Sequence, residues 1–397
     1  MTRGLLLGAV LLLATAPAGA AHSRYLFVWA MEVRHPGAAM PMPHDMGKDF
    51  LAVFDVSSDA SPPDKLVAML PVGSGAKMAH HTNYALPSND VLFANDWLAG
   101  RTYVFDLHDP TKPRLISQFG NAGPYMNPHS FAYLSNGYTL STFQYTRGFN
   151  RAPGGLVELD EHGRVVKSSP AADPAADPNI RPYSLAVVES QNRVVTSSAD
   201  MMGAQSSHVV QVWRLSDLAL LKTIVLPKTP YWFSDPAADS SEPRVLSDGK
   251  TVVVPTFNCG LYLVRGLGGN SPSLQHVYDF GYRACEVPVV AGNYLVESME
   301  SGAAIVSLDV RDPAHPHEVS RILLHPGQYP HWLALEPGGD RIVITGYGSL
   351  QTHALFASID RTTGALTLDP ESIDFTRAWP DGWNGSAAPH GAVFSNQ

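Results

Sequence analysis

Short apolar stretches separated by turn residues run along the whole chain, without a sustained helical periodicity. One group of four stretches covers residues 80–119, and a similar group covers residues 286–323. In both groups an Asp-Pro-x-x-Pro motif precedes the last stretch, as in "FDLHDPTKPRLI" and "LDVRDPAHPHEV". The motif is typical of a turn, because proline presets φ and aspartate bonds to its neighbouring backbone. The pattern predicts four-stranded units that repeat roughly every 40–60 residues, as the blades of a β-propeller do.

Seven such units can be counted from the starts of their first strands. These starts lie near His80, His129, Tyr183, Pro243, Glu286, His331 and His390. Only seven residues follow His390, too few for another blade. We therefore expect this strand to complete the first blade, whose other strands are predicted at residues 24–31, 49–56 and 65–72. The predicted fold class is all-β, a seven-bladed β-propeller whose ring is closed by pairing the C-terminal strand with the N-terminal blade, which removes free sheet edges.

The starts of these first strands repeatedly carry a histidine. The copies read "NPHSFAYL", "YPHWLAL" and "APHGAVF", with a histidine pair in "AHHTNYAL" and a tyrosine in "RPYSLAV". The first strand of each blade lines the central axis, so these positions converge at one mouth of the channel. Converging neutral imidazoles form a metal site, and nitrogen-rich ligation suits copper, zinc, iron or nickel. The candidate ligands are His80, His81, His129, His331 and His390.

A histidine in one such motif, taken alone, is more simply a turn residue bonded to a backbone carbonyl; the repeated position favours the ligand role. His80 and His81 raise a further question, because successive side chains of a strand point to opposite faces. Either the backbone is irregular there, or one of the two only supports a ligand. Histidines at outer turns, such as His108, His162 and His315, are expected to be solvated.

Other polar and aromatic residues also lie at strand starts. Glu286 is the candidate catalytic group, because a carboxylate there could move a proton or orient a ligand imidazole. The alternative for Glu286 is a solvated side chain. Tyr183, Arg283 and Trp332 are placed to line a pocket.

The chain resembles the selenium-binding protein and methanethiol oxidase family over most of its length. The similarity lies in "MAHHTNYAL", "GRTYVFDLHDPTKPRLI", "NPHSFAYLSNGYTLST", "GGLVELDEHGRVV", "TTGALTLDPESIDF" and the terminal "APHGAVF". The resemblance implies a seven-bladed propeller with copper as the cofactor, held by His80, His81, His129 and His390. His331 has no counterpart in the family pattern and is a fifth candidate from the repeat alone. The family's cysteine-containing "C-G-P-G-Y" segment is absent, which argues against selenium binding.

The resemblance also implies a chemistry. Family members convert methanethiol, with O2, to formaldehyde, hydrogen sulfide and hydrogen peroxide. The expected function is therefore a copper-dependent oxidase of small thiols, with a small sulfur compound and O2 as partners. One alternative is a non-catalytic propeller that binds copper or a partner protein. Another is a non-haem iron oxygenase, because four histidines on a propeller axis hold iron in carotenoid-cleaving oxygenases; zinc is the remaining alternative metal.

The N-terminal residues predict export. Arg3 precedes an apolar run and an Ala18-x-Ala20 pattern, as in a secretory signal peptide cleaved near Ala20. Residues 1–20 are therefore the predicted signal peptide, residues 21–397 the single propeller domain, and the periplasm or the exterior its location. No later stretch is long enough for a membrane span. A net charge of −9 without a basic stripe argues against nucleic acid as a partner.

An insert in the first blade and a cysteine pair suggest further sites. The segment "MPMPHDM" places soft thioether ligands that favour Cu(I) around a histidine, so it could take copper from a donor or deliver it; its residues are Met40, Met42, His44 and Met46. The alternative is a Pro-rich surface loop with adaptable methionines. Cys259 and Cys285 lie in loops expected on the same face of neighbouring blades, and export favours a disulfide between them. A copper–thiolate site is the alternative for this pair.

Overall fold

Seven antiparallel four-stranded sheets form the blades of a β-propeller in the computed structural model. The structure describes residues 24–35, 46–57, 65–73, 78–146, 148–202, 207–227, 239–346, 350–376, 378, 383 and 385–396. The predicted fold class is confirmed. The predicted signal peptide lies outside the described residues. No helix in the described ranges has the length and apolar character needed to cross a membrane.

The strands are numbered β1 to β28 in chain order. Blade 1 begins with β1 (Tyr25–Val33), β2 (Met46–Asp55) and β3 (Lys65–Val72). Blade 2 contains β4 (Ala79–Thr82), β5 (Val91–Asp96), β6 (Arg101–Asp106) and β7 (Arg114–Phe119). Blade 3 contains β8 (Tyr125–Tyr133), β9 (Thr139–Thr146), β10 (Gly155–Leu159) and β11 (Val165–Pro170). Blade 4 contains β12 (Pro182–Val188), β13 (Arg193–Ser198), β14 (Val209–Arg214) and β15 (Ala219–Val225).

The remaining blades continue in the same way. Blade 5 contains β16 (Arg244–Val245), β17 (Val252–Pro255), β18 (Gly260–Arg265) and β19 (Ser273–Asp279). Blade 6 contains β20 (Val289–Ala291), β21 (Tyr294–Met299), β22 (Ala304–Asp309) and β23 (His317–Leu323). Blade 7 contains β24 (Pro330–Leu335), β25 (Arg341–Gly346), β26 (His353–Ile359) and β27 (Leu366–Asp374). The last strand, β28 (Ser386–Phe394), returns to blade 1.

The ring closes by strand pairing between the two ends of the described chain. β28 runs antiparallel to β1, with Leu26 opposite Phe394 and Val33 opposite Ser386. It becomes the innermost strand of blade 1, in the sheet order β28-β1-β2-β3. The predicted closure is therefore confirmed. β1 and β2 each extend further toward their connecting loop than the sequence pattern predicted.

Apolar wedges between blades hold the ring together. Between blades 1 and 2, the buried Trp29 contacts Tyr103 and Phe105, and its Nε1–H donates to the Asn95 carbonyl at 2.8 Å. Between blades 7 and 1, Trp332 donates from Nε1–H to the Ala392 carbonyl at 2.9 Å. Burying a large apolar side chain contributes about 1.5–3 kcal/mol, so these wedges stabilise the ring and fix how closely neighbouring inner strands approach.

The inner strands share an irregularity at the position that faces the axis. The pairing register shifts between Ala79 and Thr82 in β4, and between Pro128 and Phe131 in β8. Comparable shifts occur at the same place in β12, β24 and β28. A β-bulge re-aims a side chain, and proline is tolerated there because it has no N–H for the ladder. The bulge therefore explains why proline so often precedes the axial histidine.

Candidate metal centre

The axial positions form one ring of buried side chains, one from each blade. In order from blade 1 to blade 7 they are His390, His81, His129, Tyr183, Glu242, Glu286 and His331, and all are buried. Parallel bridges between neighbouring inner strands support this equivalence, since Asn83 pairs with Phe131 and Val287 with Trp332. The ring therefore contains four imidazoles, one phenol and two carboxylates at matching places of the repeat.

The histidines come together although the sequence spreads them over some 310 residues. The rings of His80 and His81 stack at 4.0 Å, and His390 lies 4.5 Å from His80 between ring centroids. His331 lies 4.7 Å from His390. One ring nitrogen from each of these four histidines lies within 4.8 Å of the others. This spacing permits a shared metal ion.

His129 joins the cluster from the other side. Its ring lies 4.5 Å from that of His81 and 4.9 Å from that of His80. A nitrogen of His129, a nitrogen of His81 and a carboxylate oxygen of Glu242 also fall within 4.8 Å of one another. The five predicted histidines thus form one continuous group, and His331, which the family pattern left without a counterpart, is part of it.

His80 and His81 both face the axis because the strand bulges at them. The Asn95 side chain holds this irregular backbone: its Oδ1 accepts from the His81 backbone N–H at 2.6 Å. Its Nδ2 donates to the Pro128 carbonyl of the next blade at 2.8 Å. Of the two explanations weighed for the histidine pair, the irregular backbone is the one found.

A glycine allows β28 to reach the same place. A Cβ atom on Gly391 would lie 2.8 Å from the Cγ2 atom of Thr82 and 2.9 Å from the His80 carbonyl oxygen. Such contacts are too short for any other residue without a backbone shift. Gly391 therefore lets His390 approach the histidine pair of β4.

Four of the clustered histidines are held in their neutral form. Burial, together with the neighbouring His390, His129 and His331, lowers the pKa of His80 well below its usual range. Burial likewise lowers the pKa of His81 and His390, and lowers that of His129 to about 3. A neutral imidazole has a lone pair available for a metal, so the protonation state suits ligation.

The hydrogen bonding of the cluster fits a metal ion. Among the described residues, neither ring nitrogen of His80 or His81 makes a hydrogen bond, and nor does Nε2 of His129. Buried polar atoms are nearly always paired, and each one left unpaired costs about 1–3 kcal/mol. A nitrogen-liganded metal would satisfy these atoms at once. The donor set therefore fits copper, zinc, iron or nickel.

Glu242 is a carboxylate beside the histidines that the sequence pattern did not identify. Its Oε2 atom accepts from the hydroxyls of Tyr84 and Ser184, each at 2.5 Å, and from the Arg244 guanidinium at 3.2 Å. Its Oε1 atom lies 3.8 Å from Nδ1 of His81. Burial and the Glu242 charge raise the pKa of Tyr84, which keeps this donor protonated. Glu242 is thus fixed to orient His81 or to serve as a ligand itself.

The sequence does contain a motif at Glu242, but the acidic residue is shifted relative to the proline. In "SSEPRVL" the glutamate precedes the proline, whereas the histidines follow theirs, so the start of blade 5 was placed at Pro243. Tyr84 was missed because it meets Glu242 only across the ring, 158 residues away in the sequence. The comparison with Glu286, another glutamate at a strand start, could have identified Glu242.

Of the other predicted residues, three lie at the site and Arg283 does not. Glu286 is buried, with Oε2 at 3.5 Å from Nδ1 of His331. Tyr183 packs on His129 at 3.9 Å between ring centroids, and Trp332 lies 5.0 Å from His81, so both line the site. Trp97, which was not predicted, lies 6.2 Å from His80. Arg283 is exposed in the loop before β20 and bonds through its backbone to Ser301.

The cysteines pair with each other, and only Met46 of the methionine segment is described. A disulfide joins Cys259 to Cys285, with Cα atoms 5.0 Å apart, so their sulfurs are not thiolate ligands. Met46 is the buried first residue of β2, opposite Val33 of β1. Met40, Met42 and His44 lie outside the described residues.

Comparisons with known proteins identify similar folds but no family. No family model matches the chain, and no curated protein matches it. A hypothetical selenium-binding protein from Sulfolobus tokodaii has a similar structure, with a TM-score of 0.69, 14% identity, and 94% of each chain covered.

Two lactonase structures are also similar. A periplasmic gluconolactonase from Pseudomonas aeruginosa gives a TM-score of 0.63 at 13% identity, covering 94% of this chain and 99% of that one. A putative 6-phosphogluconolactonase from Bacteroides fragilis gives 0.60 at 11% identity, covering 96% of this chain and 100% of that one. At such identities these likenesses show a shared architecture alone: the chain has the seven-bladed β-propeller fold.

Proposed function

We propose that this chain binds copper through its axial histidines and oxidises small thiols with O2. The observation that carries the proposal is the buried cluster in which nitrogens of His80, His81, His331 and His390 lie within 4.8 Å of one another. The sequence resemblance to methanethiol oxidases supports copper over zinc, iron and nickel.

The residues of the chain would hold the metal in place and exclude water from it. Neutral imidazoles would hold the metal, and the anchored Glu242 carboxylate, 3.8 Å from Nδ1 of His81, would add a negative charge beside them. All five imidazoles are at most 3% exposed, so only a small substrate could reach them. Bound copper would supply the one-electron chemistry between thiolate and O2. For methanethiol, one thiol, one O2 and one water would give formaldehyde, hydrogen sulfide and hydrogen peroxide.

The burial of the cluster also favours a second candidate, a propeller that holds copper without turnover. An occluded site suits retention of a metal as well as it suits chemistry on a small molecule. A non-haem iron oxygenase is a further candidate, because the imidazole set also suits iron. Metal identity separates iron from copper, and turnover separates the oxidase from the copper-holding protein.

The test is metal content by mass spectrometry on protein from copper-supplemented cells, followed by O2 uptake with methanethiol. A site variant, His80→Ala with His81→Ala and His129→Ala, is compared with a matched control. The control changes the exposed His108, His162 and His315 to Ala.

We expect about one copper per chain in wild type and control, and none in the site variant. We also expect thiol-dependent O2 uptake with release of hydrogen peroxide. Copper retained without O2 uptake would replace the oxidase by the copper-holding protein. Equal copper in the site variant and the control would reject the site.

A further inference from the structure

The glutamates of blade 6 form a second group of ligand atoms beside the histidines. Carboxylate oxygens of Glu286 and Glu300 and a ring nitrogen of His331 all lie within 4.8 Å of one another. Nδ1 of His331 is 3.5 Å from Oε2 of Glu286 and 3.9 Å from Oε2 of Glu300. Glu286 precedes β20, Glu300 follows β21, and His331 lies on β24, so three separate elements bring the group together.

The Glu286 carboxylate points to a ligand in this space. Its side chain is 7% exposed, and Oε2 makes no hydrogen bond among the described residues. This atom faces His331, and its Glu300 neighbour closes the other side of the group. A buried carboxylate without a hydrogen bond or a cation costs several kcal/mol, which a bound cation would offset.

The surrounding charge has the same sign. The carboxyl groups of Glu300, Glu297 and Glu242 all interact electrostatically with that of Glu286. The Arg244 guanidinium that lies among these glutamates is already bonded to Glu242. Two carboxylates close together beside an imidazole are a familiar way to hold a divalent cation, because the ion balances both charges.

We propose that Glu286, Glu300 and His331 bind a second divalent cation, of the kind that takes mixed carboxylate and imidazole ligands. The set is harder than the all-imidazole cluster and suits Mn²⁺, Fe²⁺ or Zn²⁺. The Glu300 side chain is 19% exposed, so solvent reaches this group and water can complete the coordination. The inference goes beyond the proposed function and rests on it only for the copper in the adjoining cluster.

His331 lies between the two sites, and its neutral ring, which has one lone pair, would bind one cation while facing the other. It belongs to the imidazole cluster with His80, His81 and His390, and to the carboxylate group with Glu286 and Glu300. The two cations would therefore be close neighbours, as in two-metal centres. Copper and the second cation should influence each other's binding and spectra.

The test uses Mn²⁺ as the probe, because free Mn²⁺ has an EPR signal that is lost on binding. Purified protein loaded with copper is titrated with Mn²⁺, and copper content is measured on the same samples. The variants are Glu286→Gln and Glu300→Gln. The control is Glu318→Gln on the outer strand of the same blade, where the glutamate pairs with Arg321. Thermal melting checks that each variant is folded, and the partly exposed Glu300 keeps the test usable if Glu286→Gln fails to fold.

Wild type and control should bind about one Mn²⁺ per chain, and each site variant should bind it at least about tenfold more weakly. Copper content should stay the same in all four proteins. Copper retained with no Mn²⁺ bound, or with equal Mn²⁺ affinity in the site variants, would overturn the second site and leave the copper proposal intact. Mn²⁺ bound through the glutamates in a protein that takes no copper would support the second site and reject the copper function.

Discussion

Two arcs of the axial ring occupy equivalent positions of the repeat but carry different side chains. The imidazole arc comprises His331, His390, His81 and His129, together with His80 beside His81, and the acidic arc comprises Tyr183, Glu242 and Glu286. In the imidazole arc, the ring nitrogens of His80 and His81 make no hydrogen bonds within the described part of the chain. In the acidic arc, Glu242 accepts three. The imidazole arc is arranged to receive a ligand, whereas in the acidic arc one oxygen of Glu242 is already held by three hydrogen bonds within the protein.

The difference shows what a repeat does and does not determine. The repeat determines the place: every axial residue lies in or just before an inner strand, and most sit on a bulge that turns the side chain to the channel. It leaves the side chain free to vary, because that side chain packs against other blades rather than its own. Stability and pH measurements can therefore test the two arcs separately.

Acid should have the largest effect on the metal-free protein, with opposite signs in the two arcs. The pKa values of His80, His81, His129 and His390 are lowered in the fold, so unfolding takes up protons. Their contribution is complete above about pH 6.5 and falls below it, by up to about 1.4 kcal/mol per pH unit for each histidine. We expect chelator-treated protein to lose several kcal/mol of its unfolding free energy between about pH 7 and pH 5.

Two buried glutamates, Glu286 of the acidic arc and Glu297 of β21, oppose this loss. Burial raises the pKa of Glu286 and Glu297, so these carboxyls favour the fold more as pH falls toward the usual glutamate range. Urea unfolding of a Glu286→Gln, Glu297→Gln variant should therefore show a steeper acid loss than wild type. A stability that does not change between about pH 7 and pH 5 would contradict the neutral buried imidazoles.

Removing the Glu242 carboxylate should come next in size. Glu242→Ala leaves the guanidinium of Arg244 and the hydroxyls of Tyr84 and Ser184 without their shared acceptor. Breaking a buried pair by removing one member costs about 3–5 kcal/mol, so we expect a loss of that order in urea unfolding of the metal-free protein. Glu242→Gln, which keeps one oxygen acceptor, is the matched control and should lose less. Equal stability of Glu242→Ala and wild type would mean that the hydrogen bonds to Glu242 do not stabilise the fold.

The disulfide behind the acidic arc should contribute slightly less. Cys259 and Cys285 are separated by 26 residues, and Cys285 immediately precedes Glu286. Closing a loop of this length stabilises a fold by about 3 kcal/mol in the chain-entropy model. We expect Cys259→Ala with Cys285→Ala to lose that much in denaturant unfolding while copper content is retained. Loss of copper in this variant would show that the disulfide also positions the imidazole arc.

The smallest effect on the stability of the metal-free protein is expected at His80, one of the proposed metal ligands. His80→Ala removes a buried imidazole that makes no hydrogen bond, so the loss of packing is offset by relief of unpaired polar atoms. In metal-free protein at neutral pH the unfolding free energy should change by less than about 1 kcal/mol. In copper-loaded protein the same change should remove most of the stabilisation by the metal. A large destabilisation of the metal-free form would make His80 a structural residue.

The blades and the histidine cluster could be predicted from the sequence because both recur. The Asp-Pro-x-x-Pro turns marked the blades, and Pro-His marked the axial position of three of them. What could not be predicted depends on contacts across the ring. The inward turn of both His80 and His81 depends on the bulge held by Asn95, and the role of Glu242 depends on Tyr84 of another blade. Neither partner is recognisable from a local pattern.

Closure of the ring by β28 links the proposed metal site to the completion of blade 1. This strand supplies His390 and also the inner edge of blade 1, against which β1 pairs. A chain interrupted before residue 386 would lack both, although most of its strands would already be present. During synthesis the ligand set cannot be complete until the last blade has been sealed. The proposed metal would thus have its full ligand set only in a closed ring.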